Sequence, residues 1–446
     1  MKEKINLLYY ANYFAGTKLN SSSRTGIYFV VYNILKKLKD DNRFNIYLFV
    51  RPAYKHSINS LAVDPFLSQF KLVAVNDPSI YKTIIVTHIE NMIKSRNILM
   101  FIYSLKIVKN CIMYIFSKIY SMIDVNTEYS ILRNMDAFFS PQEKVPDVIK
   151  KYSHIKQFVF LHDTLHVLFP QYYDNYNWEK STRWPGNLYR DLNKQTCYFC
   201  NSESTRRDFL KLFGSKIDYN KMKVSLLAAA NDYIVNRDQD NLNAVLTKYK
   251  IPPEARKKYI FSLCILDPRK NLIFTVKCFM KFVKKHDIND LYFYLGGGHW
   301  TDFYKNLNQV INDLNKYADR IIQTGYIDDT DLNTFYSNAI FFTYISEYEG
   351  FGIPPLEAMQ SGTPVITSNN SSLPEVVGDA AIKIDCNSEE QCIKAFETLY
   401  FNDELRESYI VKGLERAKLF SWDKTVSIIA DTIADAVKHE KNQFAI

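Results

Sequence analysis

Glu349-Gly350-Phe351-Gly352-Ile353-Pro354-Pro355-Leu356-Glu357-Ala358-Met359-Gln360-Ser361-Gly362-Thr363-Pro364-Val365-Ile366 reads as turn, short helix and strand. The apolar run Ile340 to Ile345 precedes it and supplies an incoming strand. Gly350 and Gly352 lack a Cβ, so the backbone can turn sharply there and approach a ligand closely. Pro354 and Pro355 suit the first positions of a helix, where no N–H is needed. Gly362 is a left-handed stop, and Thr363-Pro364 hands over to a strand at Val365–Thr367. The unit is therefore an α/β crossover whose helix N-terminus, with free amides and a positive dipole end, faces the sheet edge. Two carboxylates accompany it, Glu349 on the turn and Glu357 one or two turns into the helix. They can hold two parts of one elongated ligand, because carboxylates accept hydrogen bonds from pairs of hydroxyls. A Gly-Phe-Gly or two Glu eight apart would alone suit any crossover; the information lies in the whole run.

The 446 residues are long enough for two or three domains. At 47% hydrophobic and 23% charged they have an ordinary globular composition, and the net charge of +8 suits anionic partners without choosing among them. The cysteines (Cys111, Cys197, Cys200, Cys264, Cys278, Cys386, Cys392) are odd in number and scattered, which argues against a disulfide framework and for a reducing, cytoplasmic setting. Cys197-Tyr-Phe-Cys200 has no second Cys or His pair at zinc spacing and reads as a buried strand. Met1 to Tyr10 lacks a long apolar core and a small-residue cleavage site, so it is read as the first strand. No run of about twenty uncharged apolar residues is present to span a bilayer.

Strand and helix alternate along the chain. Strand Ile5–Tyr9 is followed by a polar stretch and, from Gly26, an apolar-periodic helix to Leu38. Asn45–Val50 is a second strand. Residues 91–123 interleave Lys94, Arg96, Lys106, Lys109 and Lys118 with Leu, Ile, Phe and Tyr. That composition suits either a helix lying on anionic lipid or a pair of amphipathic helices packed on the sheet. Strand Phe158–Leu161 ends in His162-Asp163, a polar pair at the carboxyl end of a buried strand. Ser202 or Ser204 can cap the next helix, and Val224–Ala228 is the last strand of this half. A polar, Pro-ended stretch then reads as a linker. Strand Tyr259–Leu263 leads to Asp267-Pro268-Arg269-Lys270-Asn271. Arg can bridge two oxygens in a fork and Lys adds a mobile point charge, so the pair suits a diphosphate. At a helix start two cations oppose the dipole, an odd choice unless an anion binds there. Strand Tyr292–Leu295 precedes Gly296-Gly297-Gly298, which lacks the spacing of a dinucleotide fingerprint. Ile321 to Ile327 is a strand and turn, and Ser372-Leu373-Pro374-Glu375 has the form of a capping box.

The opening stretch closely resembles the EGFG-PP-EA-GTPV signature of retaining nucleotide-sugar glycosyltransferases of family 4. The similarity extends over Ser371 to Ala380, is strong from about Tyr259, partial over Ile5–Leu38 and Phe158–Leu210, and absent over Asp41–Lys150. The family implies a GT-B fold: two Rossmann-like parallel-sheet domains facing a cleft, with a C-terminal helix crossing back. On this chain that places an N-terminal acceptor-side domain at 1–235, a linker at 236–257, a donor-binding domain at 258–422 and the returning helix at 423–446.

The resemblance also implies roles. Arg269 and Lys270 would grip the donor diphosphate, with Gly26, near Arg24, facing the phosphates or the acceptor across the cleft; the family's frequent double glycine is missing at Gly26. Glu357 would hold the ribose. Glu349, with the amides of Phe351 and Gly352, would hold the hexose, and the turn Gly325-Tyr326-Ile327 would read the nucleobase. His162 would lie near the sugar and Asp163 near the acceptor as orienting group or base. The implied reaction is hexose transfer (mannose is the guess) to a glycan or lipid-linked saccharide in bacterial surface polysaccharide biosynthesis. No Asp-x-Asp tripeptide is assigned as a metal motif, so no metal and no cofactor beyond the donor are expected. The protein is expected in the cytoplasm, with a possible peripheral contact to the inner membrane face through 91–123. The rivals are a non-catalytic GT-B binding module, against which Glu349, Glu357, Arg269 and Lys270 argue, and a nucleic-acid binder, whose clustered charge and stacking aromatics are not seen.

Overall fold

The computed structural model describes residues 4–16, 26–50, 61, 64–74, 130–173, 177, 179–180, 185–263, 267–297, 307, 309–311 and 315–443. Arg24, Cys111, Cys264, Gly298 and the basic stretch 91–123 lie outside them. The first sheet holds β1 (Ile5–Tyr10), β2 (Phe44–Val50), β3 (Lys71–Ala74), β4 (Ala137–Ser140), β5 (Lys156–Leu161), β6 (Cys197–Cys200) and β7 (Met222–Val224). Their order is β3-β2-β1-β4-β5-β6-β7, all parallel. The second sheet holds β8 (Lys258–Leu263), β9 (Leu291–Gly296), β10 (Ile321–Gly325), β11 (Phe342–Tyr344), β12 (Val365–Ser368) and β13 (Ala381–Ile384). It is also parallel, ordered β10-β9-β8-β11-β12-β13.

Parallel sheets need cover on both faces, and the side-chain alternation supplies apolar groups to both. In β1, Leu7 and Tyr9 join one buried cluster while Leu8 and Tyr10 join another. The main helices are α1 (Gly26–Lys39), α2 (Glu203–Phe213), α3 (Gln239–Lys248), α4 (Leu272–Lys285), α5 (Asp329–Ser337), α6 (Ile353–Gln360) and α7 (Trp422–Gln443). On α4 the buried positions Leu272, Thr275, Val276, Phe279, Met280 and Val283 recur every three or four residues, a stripe that faces the sheet. Each fully buried Phe or Leu of this kind contributes roughly 1.5–3 kcal/mol.

Both orders reverse direction once, between β1 and β4 and between β8 and β11. Loops leaving neighbouring strands there turn to opposite faces and open a crevice at the carboxyl edge, where α/β sheets bind ligands. The segments after β8 and β11 are those carrying Arg269-Lys270 and Glu349.

Three local expectations are corrected. The strand predicted at Val224–Ala228 is β7, ending at Val224; Ser225 Oγ and the Leu226 carbonyl instead bond to Thr425 of α7 at 2.8 and 2.5 Å. Residues 239–248, predicted within a linker, form α3, which packs on α5 through Asn241–Thr334 (2.9 Å) and Lys248–Asp331 (2.6 Å). Arg269 and Lys270 do not begin a helix. They lie on a separate 3-10 turn, Pro268–Lys270, divided from α4 by Asn271 in the left-handed conformation (φ 56°). The Asn271 side chain donates to the Cys386 carbonyl at 2.7 Å, and the break takes the two cations off the helix axis.

The final helix returns to the first domain. Ile429, Ala430, Ile433 and Ala434 of α7 are buried, and Asp423 and Asp431 pair with Lys37 at 2.7 Å and Arg43 at 2.6 Å. The exposed pairs add little stability; the apolar seam against α1 and β5 carries the attachment. No described helix is long and apolar enough to cross a membrane.

Candidate functional site

Four charged side chains converge at the β8/β11 crevice. Glu349 follows β11 and is 7% exposed. Its Oε2 lies 2.9 Å from Arg269 Nη1 and its Oε1 2.5 Å from Lys270 Nζ. Arg269 Nε is 3.1 Å from Asp267 Oδ2, and Nη1 also donates to the Tyr348 carbonyl at 2.8 Å. Lys270 Nζ donates to Tyr344 Oη at 2.5 Å and lies 4.8 Å from that ring's centre. Burial would push the Glu349 carboxyl up; Arg269 and then Lys270 reverse this and hold it at about 2. Its contribution to stability is thus present above the usual carboxylate range and lost as pH falls through about 2. Two cations and two carboxylates, fixed by opposed pairs in a low-dielectric crevice, form a polarised cradle rather than a free charge.

The loop geometry explains the glycines. Gly352 has φ 116°, and a Cβ there would meet Leu373 at 2.8 Å. At Gly350 a Cβ would sit 2.3 Å from the His162 carbonyl oxygen and 3.0 Å from Asp163 Cβ. The glycine therefore seats the second domain directly against the end of β5. Ser202 and Thr205 hydroxyls donate to the Gly350 carbonyl at 2.7 and 3.1 Å. Ser202 caps α2 by accepting from the Thr205 amide at 3.0 Å, as one of the two predicted caps.

Ser372 and Glu375 make no capping box. Ser372 Oγ donates back to the carbonyls of Glu349 (2.9 Å) and Phe351 (2.6 Å). Glu375 crosses to the first domain and accepts from the amides of Glu203 (2.8 Å) and Ser204 (3.3 Å). A carboxylate at a helix N-terminus satisfies orphan donors and the dipole together. Glu375→Ala is expected to lower stability by about 1 kcal/mol, read as a lower urea midpoint; an unchanged midpoint would refute the cap.

The other predicted residues are placed as follows. Glu357 is half-buried on α6, and its Oε2 accepts from Tyr336 Oη at 2.9 Å. Burial pushes its carboxyl up to about 7, only partly opposed by the hydroxyls of Tyr336 and Tyr233. The Phe351 ring turns away from the crevice onto Phe420, centres 5.9 Å apart, so only its backbone is offered to a ligand. Gly325 has φ 70° with open space where a Cβ would be, its carbonyl accepts from the Gly297 amide at 2.9 Å, and Ile327 is buried. The Ile327 side chain packs against Gly296. Gly26 opens α1 with nothing within 4 Å of its missing Cβ.

His162 is buried with Nε2 2.8 Å from the Pro141 carbonyl. A carbonyl only accepts, so Nε2 carries the proton and Nδ1 is the acceptor. Burial lowers its pKa despite that bond, so the ring is neutral near pH 7. Asp163 Oδ1 accepts from the Leu165 amide at 3.1 Å and its charge faces Arg269. Cys200 is buried and burial pushes the Cys197 thiol up to about 11, which leaves no activated thiol at that pair.

Sequence reasoning missed Asp267, Tyr344 and Tyr348; it read His166 and the aromatic loop Tyr172–Trp178 as either acceptor-side lining or packing, and did not see that Tyr172 and Tyr173 reach Glu347 and Asp267. Asp267 stood next to the cations and was readable as a turn cap, since its carboxylate accepts from the Arg269 amide at 3.1 Å. Tyr348 had no signal: its hydroxyl donates to Asp208 of α2 at 2.8 Å, 140 residues away.

Two parallel-sheet α/β domains that meet at the carboxyl ends of their strands, with a returning last helix, are the GT-B fold. Residues 247–416 match the family described as glycosyl transferases group 1. The chain is 32% identical over 240 residues to O-antigen chain mannosyltransferase B of Escherichia coli, covering 53% of this chain and 60% of that protein. It therefore spans less than two thirds of that relative. Among solved structures, a glycosyltransferase from Rickettsia africae superposes with a TM-score of 0.62 at 15% identity, over 98% of this chain and 99% of that one. Anabaena HepE in complex with UDP and glucose superposes with a TM-score of 0.61 at 14% identity, over 97% and 100%.

Proposed function

We propose that this protein is a retaining glycosyltransferase that moves a hexose, mannose foremost, from a nucleotide sugar to a glycan or lipid-linked saccharide in surface polysaccharide synthesis. The observation that carries the reading is the Glu349 carboxylate held between Arg269 and Lys270 at the sheet's switch point, against the end of β5. The O-antigen relative supports the sugar and the pathway. Arg269 and Lys270 bind the diphosphate and stabilise the charge that develops on it as the glycosidic C–O bond breaks. Glu349 and the Phe351 and Gly352 backbone hold the hexose; Glu357 takes the ribose hydroxyls and the 325–327 turn the base. Gly26 leaves room beside the phosphates. The acceptor oxygen enters on the face the phosphate leaves, and its proton passes to a phosphate oxygen, so no metal and no protein nucleophile are required. His162, with Nδ1 as acceptor, and Asp163 orient the sugar and acceptor. Residues 91–123 supply a contact with anionic lipid.

The test is a thermal-shift screen with GDP-mannose and other nucleotide sugars, followed by release of the nucleoside diphosphate. Stabilisation and turnover are expected with one of them. Neither with any donor would leave only a fold used for binding something else.

Glu357 gives this reading a pH signature. Only the ionised carboxylate accepts two ribose hydroxyls, so kcat/KM for the donor is expected to rise through about pH 7, where Glu357 ionises. Between its usual 4.5 and 7 the folded state holds a proton the unfolded chain has released, so stability falls as pH rises across that window. Glu357→Gln should remove both dependences. A wild-type pH profile flat from 6 to 8 would refute the assignment.

A further inference from the structure

Residues 165–173 of the first domain pass over the cation turn of the second as a short helix, Leu165–Leu168, and a 3-10 turn, Pro170–Tyr173. Two adjacent tyrosines end on two of the residues that hold Arg269. Tyr173 Oη donates to Asp267 Oδ2 at 2.9 Å, the same oxygen that lies 3.1 Å from Arg269 Nε. Tyr173 also interacts with the Arg269 guanidinium itself. Tyr172 Oη donates to Glu347 Oε2 at 2.5 Å, and the Glu347 amide donates to the Arg269 carbonyl at 2.7 Å. His166 lies against the Tyr173 ring with centres 4.3 Å apart, and Phe169 packs on Tyr348 at 5.6 Å.

The guanidinium of Arg269 is held at Nη1 by Glu349 and the Tyr348 carbonyl and at Nε by Asp267 Oδ2. Asp267 Oδ1 is tied to the Arg269 amide, so within its own domain the carboxylate is anchored through Oδ1 and Oδ2 to the residue that it orients. Tyr173 is the one partner of Oδ2 from the opposite domain among the hydrogen bonds described, and it fixes where that oxygen, and with it Nε, sits while the two domains are apposed.

We propose that Tyr173 is a positioning residue, acting through Asp267 to aim Arg269 at the donor phosphates and so linking docking of the 165–173 segment to completion of the donor site. Tyr172 does the same for the backbone of the turn through Glu347. This rests on the diphosphate role of Arg269 stated above. Because the aim matters most when charge develops on the leaving group, the link acts on turnover more than on donor binding.

The experiment is a cycle of Tyr173→Phe, Asp267→Asn and the double variant in the full chain. It uses whichever nucleotide sugar the wild type turns over, with nucleoside diphosphate release and nucleoside diphosphate affinity as readouts. Tyr173→Phe keeps the ring against His166 and removes only the hydroxyl. It is expected to lower kcat about five- to tenfold, with donor KM and nucleoside diphosphate affinity changed less than about twofold. The double variant is expected to be no slower than Asp267→Asn alone, because both remove one chain of contacts. A kcat within twofold of wild type, losses that multiply, or a loss confined to KM overturns the proposal while leaving the glycosyltransferase reading intact. A wild type that turns over no donor overturns both.

Discussion

Lys270→Ala is expected to lower turnover of the nucleotide sugar by about a hundredfold or more, the size of effect seen when one preorganised donor to a developing negative charge is lost. The Lys270 side chain is 9% exposed and its ammonium is already aimed by Glu349 and Tyr344, so its charge acts with little screening and no reorganisation. The variant also strips Glu349 of one of its two cations, leaving Arg269 alone to hold the carboxylate ionised. Lys270→Arg should recover only part of the loss, since the fork cannot sit where the single Nζ bridges a carboxylate and a phenol. Steady-state rates on folded variants decide it. A Lys270→Ala enzyme within threefold of wild type would remove Lys270 from the diphosphate role.

Gly350→Ala is expected to abolish most turnover for a different reason. Its Cβ would lie 2.3 Å from a backbone oxygen, that of His162. Backbone cannot rotate aside, so the loop after β11 must lift off the end of β5, straining the hydrogen bonds from Ser202 and Thr205. Overpacking of this kind costs typically about 1–3 kcal/mol. Arg269, Lys270 and Glu349 all lie on the second domain, so affinity for a nucleoside diphosphate should survive while turnover falls more than tenfold. Parallel loss of both, or of neither, would contradict this division between binding on one domain and reaction between two.

Much of this was legible in sequence because it is local. The run Glu349 to Ile366 announces its turn, helix and stop through Gly, Pro and Gly, and the structure places those features where the residue types require. β3 and β13 were not read: each is four residues long at a sheet end and carries a lysine, as edge strands do. Ser372 and Glu375 have the spacing of a capping box, yet their partners are Glu349, Phe351 and the α2 amides, because two domains compete for the same groups. The interdomain hydrogen bonds of Tyr172, Tyr173 and Tyr348 have no periodic signal at all. Local chemistry writes the Glu349 side of the crevice into one stretch, whereas apposition of the domains depends on contacts scattered across the chain.

The return of α7 has a bearing on how the chain acquires its shape during synthesis. Ile429, Ala430, Ile433 and Ala434 cover apolar surface belonging to α1 and β5, elements made more than 260 residues earlier. At about 5–20 residues per second a nascent chain carries that uncovered surface for roughly ten seconds or more. The first domain therefore cannot mature as an independent N-terminal unit; it waits for the second. Ribosome-stalled chains ending near residue 420 should be protease-sensitive and chaperone-bound, and extension by the last helix should release them.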